Sequence, residues 1–426
     1  MDFIQKREEL DNRGVNVNYN KKKYYGTFSI NDKYLVLSVF YNDFDVWKES
    51  TKDFDCLTAS MVDTETELSL INCNYKEAYS QPGPNGVRQF VTCYSIDRVL
   101  VGYAISNIRD LFISCITASY KDTSWLTDSS IYNRDFFHDK VVINTLYKEF
   151  NLKDKTVTFS LLPAYESNDD KITVSGNREF TVFFKKKKNF YEAIQYIYLI
   201  KNLLMIMGKI KIEVCNMSIH DSDNCFNIID GFVDLDAFKN IDEFYSSIMN
   251  KICFKIDDFS DFSNVLENFE KEYKKLFPVI ELYWNVLRNR IPNLTRFISD
   301  ITMLEYYSRE YDKEKPLKRT KKRNPKKSEP QFVDMVYSLI ENANSIFNFT
   351  ADDILKISKI IKDARTYYIH YVRNGVELRP DKLFRICYFI EDVVIINIYR
   401  QIGIDFDKYS ELSFYNFIYN LEELIN

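Results

Sequence analysis

From Lys21 to about Leu162 the chain alternates apolar and polar positions in short runs of β-branched and aromatic residues. YYGTFSI (24–30), YLVLSVFY (34–41), ELSLINC (67–73), RQFVTCYSI (88–96) and TVTFSLL (156–162) are each bounded by Asn, Asp, Gly or Pro, and they predict strands. The run from Gln81 to Gly86, QPGPNG, predicts a loop. Beyond it, ITVSGNREFTVFF predicts a hairpin turning at Ser175-Gly176-Asn177. FYEAIQYIYLIKNLLMIMG predicts a helix stopped by Gly208, and KIKIEVCNMSI a return to strand.

From about Asp261 the spacing changes to a helical one and stays so. Segments near 262–290, 293–311, 331–346, 351–372, 380–402 and 408–425 carry apolar residues at i, i+3 and i+4. Thr350, with Asp352 and Asp353 behind it, predicts a capped helix start. Ile354, Ile357, Ile361, Ala364, Tyr368 and Val372 form the stripe that follows, and Gly403 predicts the stop of the next helix. The expected class is α+β. A β-rich N-terminal module spans 1–165, a mixed continuation with connecting helices 166–284, and an all-α bundle 285–426.

Composition narrows the chemistry. With 426 residues, 46% hydrophobic and 28% charged, the chain is a globular protein of two or three domains. It contains no run of eighteen apolar residues, and MDFIQKREELDNRG at its start has no apolar core of a signal sequence, so the expectation is a cytoplasmic protein without a membrane contact. Only 10 glycines occur, and neither G-x-G-x-x-G nor G-x-x-x-x-G-K-[ST] nor G-x-S-x-G is among the motifs, which argues against dinucleotide, P-loop and α/β-hydrolase sites. The eight cysteines form no C-x-x-C. No cofactor and no metal is expected.

Charge is uneven. Residues 285–426 hold 23 Lys/Arg against 20 Asp/Glu, a net of +3, while the whole chain is −5. Nine of the sixteen residues from Asp312 to Lys327 are basic, and Pro316 and Pro325 break any helix there. One reading is a solvated loop; the other is a phosphate-binding loop in which Lys318, Arg319, Lys321, Lys322 and Arg323 meet RNA.

The sharpest chemical element is Arg365-Thr-Tyr-Tyr-Ile-His370. Cleaving RNA through its own 2′-hydroxyl needs a base, an acid and a cation for the charge that builds on the phosphoryl oxygens. Histidine suits the proton transfers and arginine the phosphate, giving a 2′,3′-cyclic phosphate and a 5′-hydroxyl. Five residues at 100° each set Arg365 and His370 about 140° apart on a regular helix, so the helix ends or distorts there or the site is shared across a dimer. Tyr367, Tyr371, Arg373 and Asn374 flank the pair; Tyr371 and Arg373 are candidate RNA contacts.

Other constellations read more plainly as structural. Cys215-x4-His220-x4-Cys225, with Asp221 and Asp223 near, matches no zinc spacing. Arg134 and His138 have i, i+4 spacing without an evident chemistry, and Lys185–Lys188 reads as a solvated strand end or, in the sharper reading, a second anion-contact surface.

The helical order resembles a known family. PNLTRFISDITMLEYYSREY, a variable loop, FVDMVYSLIENAN, DDILKISKIIKDARTYYIHY and KLFRICYFIEDVVIINIYRQIG are similar to the HEPN domain of ApeA-type anti-phage proteins. The LE-x-Y-like segment is Leu304-Glu305-Tyr306-Tyr307. The N-terminal part resembles, more loosely, the ApeA N-terminal domain through Tyr24-Tyr25-Gly26-Thr27-Phe28, the strand ending at Cys73 and Trp125-Leu126. The resemblance implies a metal-independent endoribonuclease acting on tRNA or other structured RNA in abortive infection. It implies Arg365 and His370 as catalytic residues and a homodimer through the HEPN domain answering a phage-derived trigger; Glu305 reads either as a carboxylate that orients Arg365 or His370 or as a surface residue of an amphipathic helix. One departure is Thr366, where the family often has Asn, Asp or His. The alternative is a non-catalytic HEPN dimerisation protein whose β-rich module senses a ligand or partner.

Overall fold

The computed structural model describes residues 8–31, 33–83, 86–120, 123, 132–135, 140–143, 146–168, 171–221, 224–230, 256, 261–288, 293–311, 331–370 and 375–404. They divide into two compact units. The first comprises Met1–Ser124, Ser129–Lys201 and Ile212–Ser246, the second Trp125–Asp128, Asn202–Lys211 and Ser247–Asn426.

The first unit is built on antiparallel strands. β1 (Gly14–Tyr19), β2 (Lys22–Asn31), β3 (Tyr34–Tyr41), β4 (Phe54–Met61), β5 (Glu67–Pro82) and β6 (Arg88–Val101) pair in the order β6-β3-β2-β1-β4-β5, and β5 returns to pair with β6. That last pairing closes a six-stranded barrel, which leaves these strands no free edge. Alternation along β3 helps fill it. Along β3, Leu35, Leu37, Val39 and Tyr41 point inward, meeting Val15 and Val17 of β1, Leu68 and Leu70 of β5, and Tyr94, Ile96 and Val99 of β6. A short helix α1 (Phe44–Ser50), capped by Asp43, rests on the barrel. The Trp47 indole donates to the Val91 carbonyl at 3.0 Å, and the Tyr94 hydroxyl to the Ser50 carbonyl at 2.5 Å.

β6 is the branch point. One edge pairs with β5 along its length; the other pairs with β3 from Phe90 to Ile96 and with β14 (Asn224–Asp230) from Arg98 to Val101. From β14 the sheet runs on through β13 (Val214–Asp221), β7 (Phe112–Tyr120), β12 (Lys171–Asn189), β11 (Lys155–Asn168) and β10 (Leu146–Asn151). β8 (Tyr132–Asp135) and β9 (Lys140–Ile143) form a separate pair.

The hairpin expected at Ser175-Gly176-Asn177 is not there. β12 is one strand through these residues, with Gly176 opposite Pro163 in an unbroken ladder from Asn168–Lys171 to Lys155–Phe184. A Ser-Gly-Asn turn signal is local. Fourteen consecutive cross-strand pairs with β11 outweigh it.

Helix α2 (Phe190–Gly208) follows, its residues to Lys201 in the first unit and from Asn202 in the second. The second unit continues with α3 (Phe262–Arg288), α4 (Asn293–Tyr311), α5 (Phe332–Phe347), α6 (Ala351–His370) and α7 (Pro380–Gln401). α4 packs on α3 and α7, and α5 on α6 and α7. The expected helix over 408–425 lies outside the described residues. α7 ends as anticipated: Gly403 has φ +86°, its N–H reaches the Arg400 carbonyl, and the Ile404 N–H reaches that of Tyr399, a Schellman pattern.

Charges hold α4 to α7. Arg296 grips Glu391 as a fork, Nε to Oε1 at 2.6 Å and Nη2 to Oε2 at 2.9 Å, with its guanidinium 3.8 Å from the Tyr388 ring centre. Lys209 pairs with Asp392. Asp300 is fully buried beside them, and among the described residues neither carboxyl oxygen makes a hydrogen bond of ordinary geometry. Burial, then the nearby Glu391, pushes the Asp300 carboxyl well above the usual range. Burial raises Glu391 as well, but Arg296 pulls it back, so the proton belongs on Asp300.

Candidate active site

Three helices of the second unit converge on one guanidinium. Helix α6 starts with a reciprocal cap: the Asp353 N–H donates to Thr350 Oγ1 at 3.3 Å and the Thr350 N–H to Asp353 Oδ2 at 3.2 Å. Ile354, Ile357, Ile361 and Ala364 are its buried stripe, and Arg365 follows at the edge of that stripe. Helix α4 buries Phe297, Ile301, Leu304 and Tyr307, which leaves Glu305 at the rim of its own apolar face.

The rims meet. Arg365 Nε donates to Glu305 Oε1 at 2.6 Å, with side-chain exposures of 23% and 18%. Arg365 Nη1 lies 2.9 Å from His370 Nε2. The guanidinium also sits 4.6 Å from the ring centre of Phe332, the first residue of α5. The second Glu305 oxygen accepts from Arg309 Nη2 at 3.3 Å.

Arginine has no acceptor, so His370 Nε2 must accept the bond from Nη1. His370 is exposed, so the ring is open to a substrate.

The 140° separation does not keep the pair apart: Arg365 and His370 of one chain touch. Both lie on α6, and the long arginine side chain spans the angle that the backbone leaves between them.

The chain leaving α6 returns along it. The Val376 N–H donates to the Asp363 carbonyl at 3.3 Å, and the Tyr368 hydroxyl both donates to the Leu378 carbonyl and accepts from its N–H. A Cβ at Gly375 would lie 2.4 Å from the Tyr367 nitrogen, so only glycine fits against the helix backbone here. The Tyr367 hydroxyl donates to Glu377 Oε2 at 2.9 Å, and that bond raises its pKa. Tyr367 is thus committed to the return segment. Thr366 turns its hydroxyl to the Lys362 carbonyl at 2.9 Å, so this family departure makes an intrahelical bond.

Of the residues expected at the site, Arg365, His370 and Glu305 come together. Lys318, Arg319, Lys321, Lys322, Arg323, Tyr371 and Arg373 lie outside the described residues, as do Asn374 and His138. Lys185 Nζ donates to the Leu152 and Lys153 carbonyls, and Lys188 pairs loosely with Asp154, so this lysine run is partly occupied within its own unit. Cys225 Sγ is 3.8 Å from His220 Nε2 across the β13–β14 pair, while the Cys215 thiol donates to the Glu213 carbonyl. Among the described residues no group of three or more His, Cys, Asp or Glu is arranged to hold a metal ion. Sequence reasoning missed Phe332 and Arg309. Arg309 carried a readable signal, an i, i+4 partner of Glu305; Phe332 carried none, being brought to Arg365 only by the packing of α5.

Residues 13–269, over half of the chain, match the family described as ApeA N-terminal domain 1, and residues 298–408 match Apea-like HEPN. The chain belongs to the ApeA family. Its HEPN region contains Glu305, Arg309, Phe332, Arg365 and His370, so every group of the candidate site falls inside it. The chain is accordingly a HEPN-type anti-phage defence protein with a β-barrel-based N-terminal region. No curated relative and no solved structure matches it. Among the described residues no helix is long and apolar enough to cross a membrane.

Proposed function

We propose that this ApeA-family protein is an endoribonuclease that cleaves tRNA or other structured RNA by 2′-hydroxyl attack, without a metal, as part of abortive infection. The observation that carries the reading is the 2.9 Å contact between Arg365 Nη1 and His370 Nε2, with Arg365 held from behind by Glu305 and Phe332. As the acceptor in that contact, His370 Nε2 presents the lone pair that a general base needs. When Arg365 turns its N–H groups to the scissile phosphate, Nε2 becomes free to take the 2′-hydroxyl proton. The 2′-oxygen attacks phosphorus, Arg365 neutralises the charge on the phosphoryl oxygens, and the 5′-oxygen leaves. The proton that Nε2 took from the 2′-hydroxyl passes to the departing 5′-oxygen, so the ring returns to its starting form. A homodimer through the HEPN domain sets two such Arg365–His370 pairs along one cleft. Glu305 is the positioning residue that fixes Arg365. The activating phage signal acts through the N-terminal region.

Sequencing RNA ends after induced expression tests the reading. Wild type should leave 2′,3′-cyclic phosphate and 5′-hydroxyl ends, and His370→Ala should reduce cleavage by about 10²–10⁴-fold, the range for loss of a general acid or base. Equal cleavage by the two proteins, or ends with a 5′-phosphate, would overturn it.

A further inference from the structure

Glu305 divides its carboxylate between two arginines. Oε1 takes Arg365 Nε at 2.6 Å and Oε2 takes Arg309 Nη2 at 3.3 Å, so guanidinium groups from α6 and α4 lie against one carboxylate. The two are held unequally. Arg365 is fixed on three sides, by Glu305, His370 and the Phe332 ring. Arg309 is 65% exposed and has only Glu305 as a partner among the described residues. Two guanidinium charges meet one carboxylate here.

We propose that Arg309 is a second phosphate-binding residue, gripping a phosphodiester next to the one that Arg365 engages. The assignment rests on the ribonuclease reading for what lies beside Arg365, though not for Arg309's affinity for RNA. Three features carry it. Arg309 stands one helical turn beyond Glu305 and takes Oε2 while Arg365 takes Oε1, so the two cations lie side by side on separate oxygens and can meet consecutive charges of one RNA strand. An exposed i, i+4 ion pair is weak and screened by salt, so a phosphate can replace Glu305 at Arg309 without disturbing the core. A guanidinium fork matches two phosphate oxygens, and most of its donors are not engaged in the resting protein. Glu305 then has a second positioning task. It keeps Arg309 extended toward Arg365 until RNA arrives. A contact of this kind sets affinity and leaves the choice of cleavage position alone.

The test uses full-length protein and a single-stranded RNA oligonucleotide, with binding and cleavage measured separately. Binding is titrated against salt in a His370→Ala background, so that cleavage does not interfere. Arg309→Ala should weaken binding roughly tenfold, the effect of losing one charged contact. It should also flatten the log–log salt slope by about 0.7, the value for one phosphate on a single strand. Arg309→Lys should recover most of the slope. In the cleaving protein, Arg309→Ala should raise KM and leave kcat within about twofold and the cleavage position fixed, by the logic of a ground-state contact. Unchanged affinity and slope would overturn the proposal, as would a fall in kcat at constant KM, which would make Arg309 a support for Arg365. If wild type cleaves no RNA while Arg309→Ala still lowers the slope, Arg309 stands as a phosphate contact and the ribonuclease reading falls.

Discussion

Helix α4 carries half of two arginine–carboxylate pairs, and the two are built differently. At its start, Arg296 grips Glu391 as a closed fork, with exposures of 13% and 4% and the guanidinium face covered by Tyr388. Further along, Glu305 takes Arg365 by Nε alone, and the guanidinium's other contacts are an exposed histidine and an aromatic ring. The first pair uses its geometry to join two helices. The second engages its carboxylate by one nitrogen only and is not closed as a fork. Burial is costly for an ion pair and is tolerated only when the donors are satisfied, so the sealed pair belongs to the fold. A pair that is 23% and 18% exposed is less sealed than the first, contributes less stability and retains the capacity to bind an anion.

The same truncation in both pairs should separate these roles most clearly. Arg296→Ala strands Glu391 in the core and should cost about 3–5 kcal/mol in urea unfolding. Arg365→Ala should cost no more than about 1 kcal/mol in unfolding. Its effect belongs in RNA cleavage, with a loss of about 10²–10³-fold, as for removal of one charge-stabilising donor. Comparable unfolding losses for the two variants would erase the distinction.

A smaller effect sharpens it from the backbone side. Gly375→Ala drives a methyl group into the Tyr367 backbone and should displace the return segment that braces the end of α6. About 1–3 kcal/mol of stability is expected to go, the usual cost of overpacking, with a larger proportional loss of cleavage than of RNA binding. Cleavage falling only in step with the folded fraction would show that the brace does not align His370.

The third outcome concerns pH. Asp300 keeps its proton in the folded protein at values where the unfolded chain has released it. The folded state therefore binds more protons, and this group's stabilisation is full below the ordinary carboxylate range and declines as pH rises toward the folded value. The slope is at most about 1.4 kcal/mol per pH unit for one proton. Asp300→Asn removes that titration, so its Tm relative to wild type should climb from pH 5 to pH 9. Parallel Tm curves would show that Asp300 is ionised alongside Glu391.

Much of this architecture is readable in the chain. Alternation in YLVLSVFY marks a strand because a barrel wall has one buried face. The stripe from Ile354 to Ala364 and the Thr350 cap mark α6, because capping and amphipathicity are local properties. The family resemblance is legible for the same reason: helix order and the spacing from Arg365 to His370 are linear features. Ser175-Gly176-Asn177 misleads because turn propensity is weak beside a long ladder to β11 whose partners are remote in sequence.

The amino-acid sequence by itself determined the strand and helix segments, the change from a β-rich to a helical region, and which residue types could perform acid–base chemistry on a phosphate. Only the tertiary structure decided that β5 closes on β6, that Phe332 faces Arg365, and that the 140° between Arg365 and His370 is bridged within one chain. Periodicity encodes which face of an element is buried. It does not encode which other element covers that face, and the Glu305–Arg365 contact joins residues 60 positions apart. That choice is made by packing and by the pairing of charges that would be costly to bury alone.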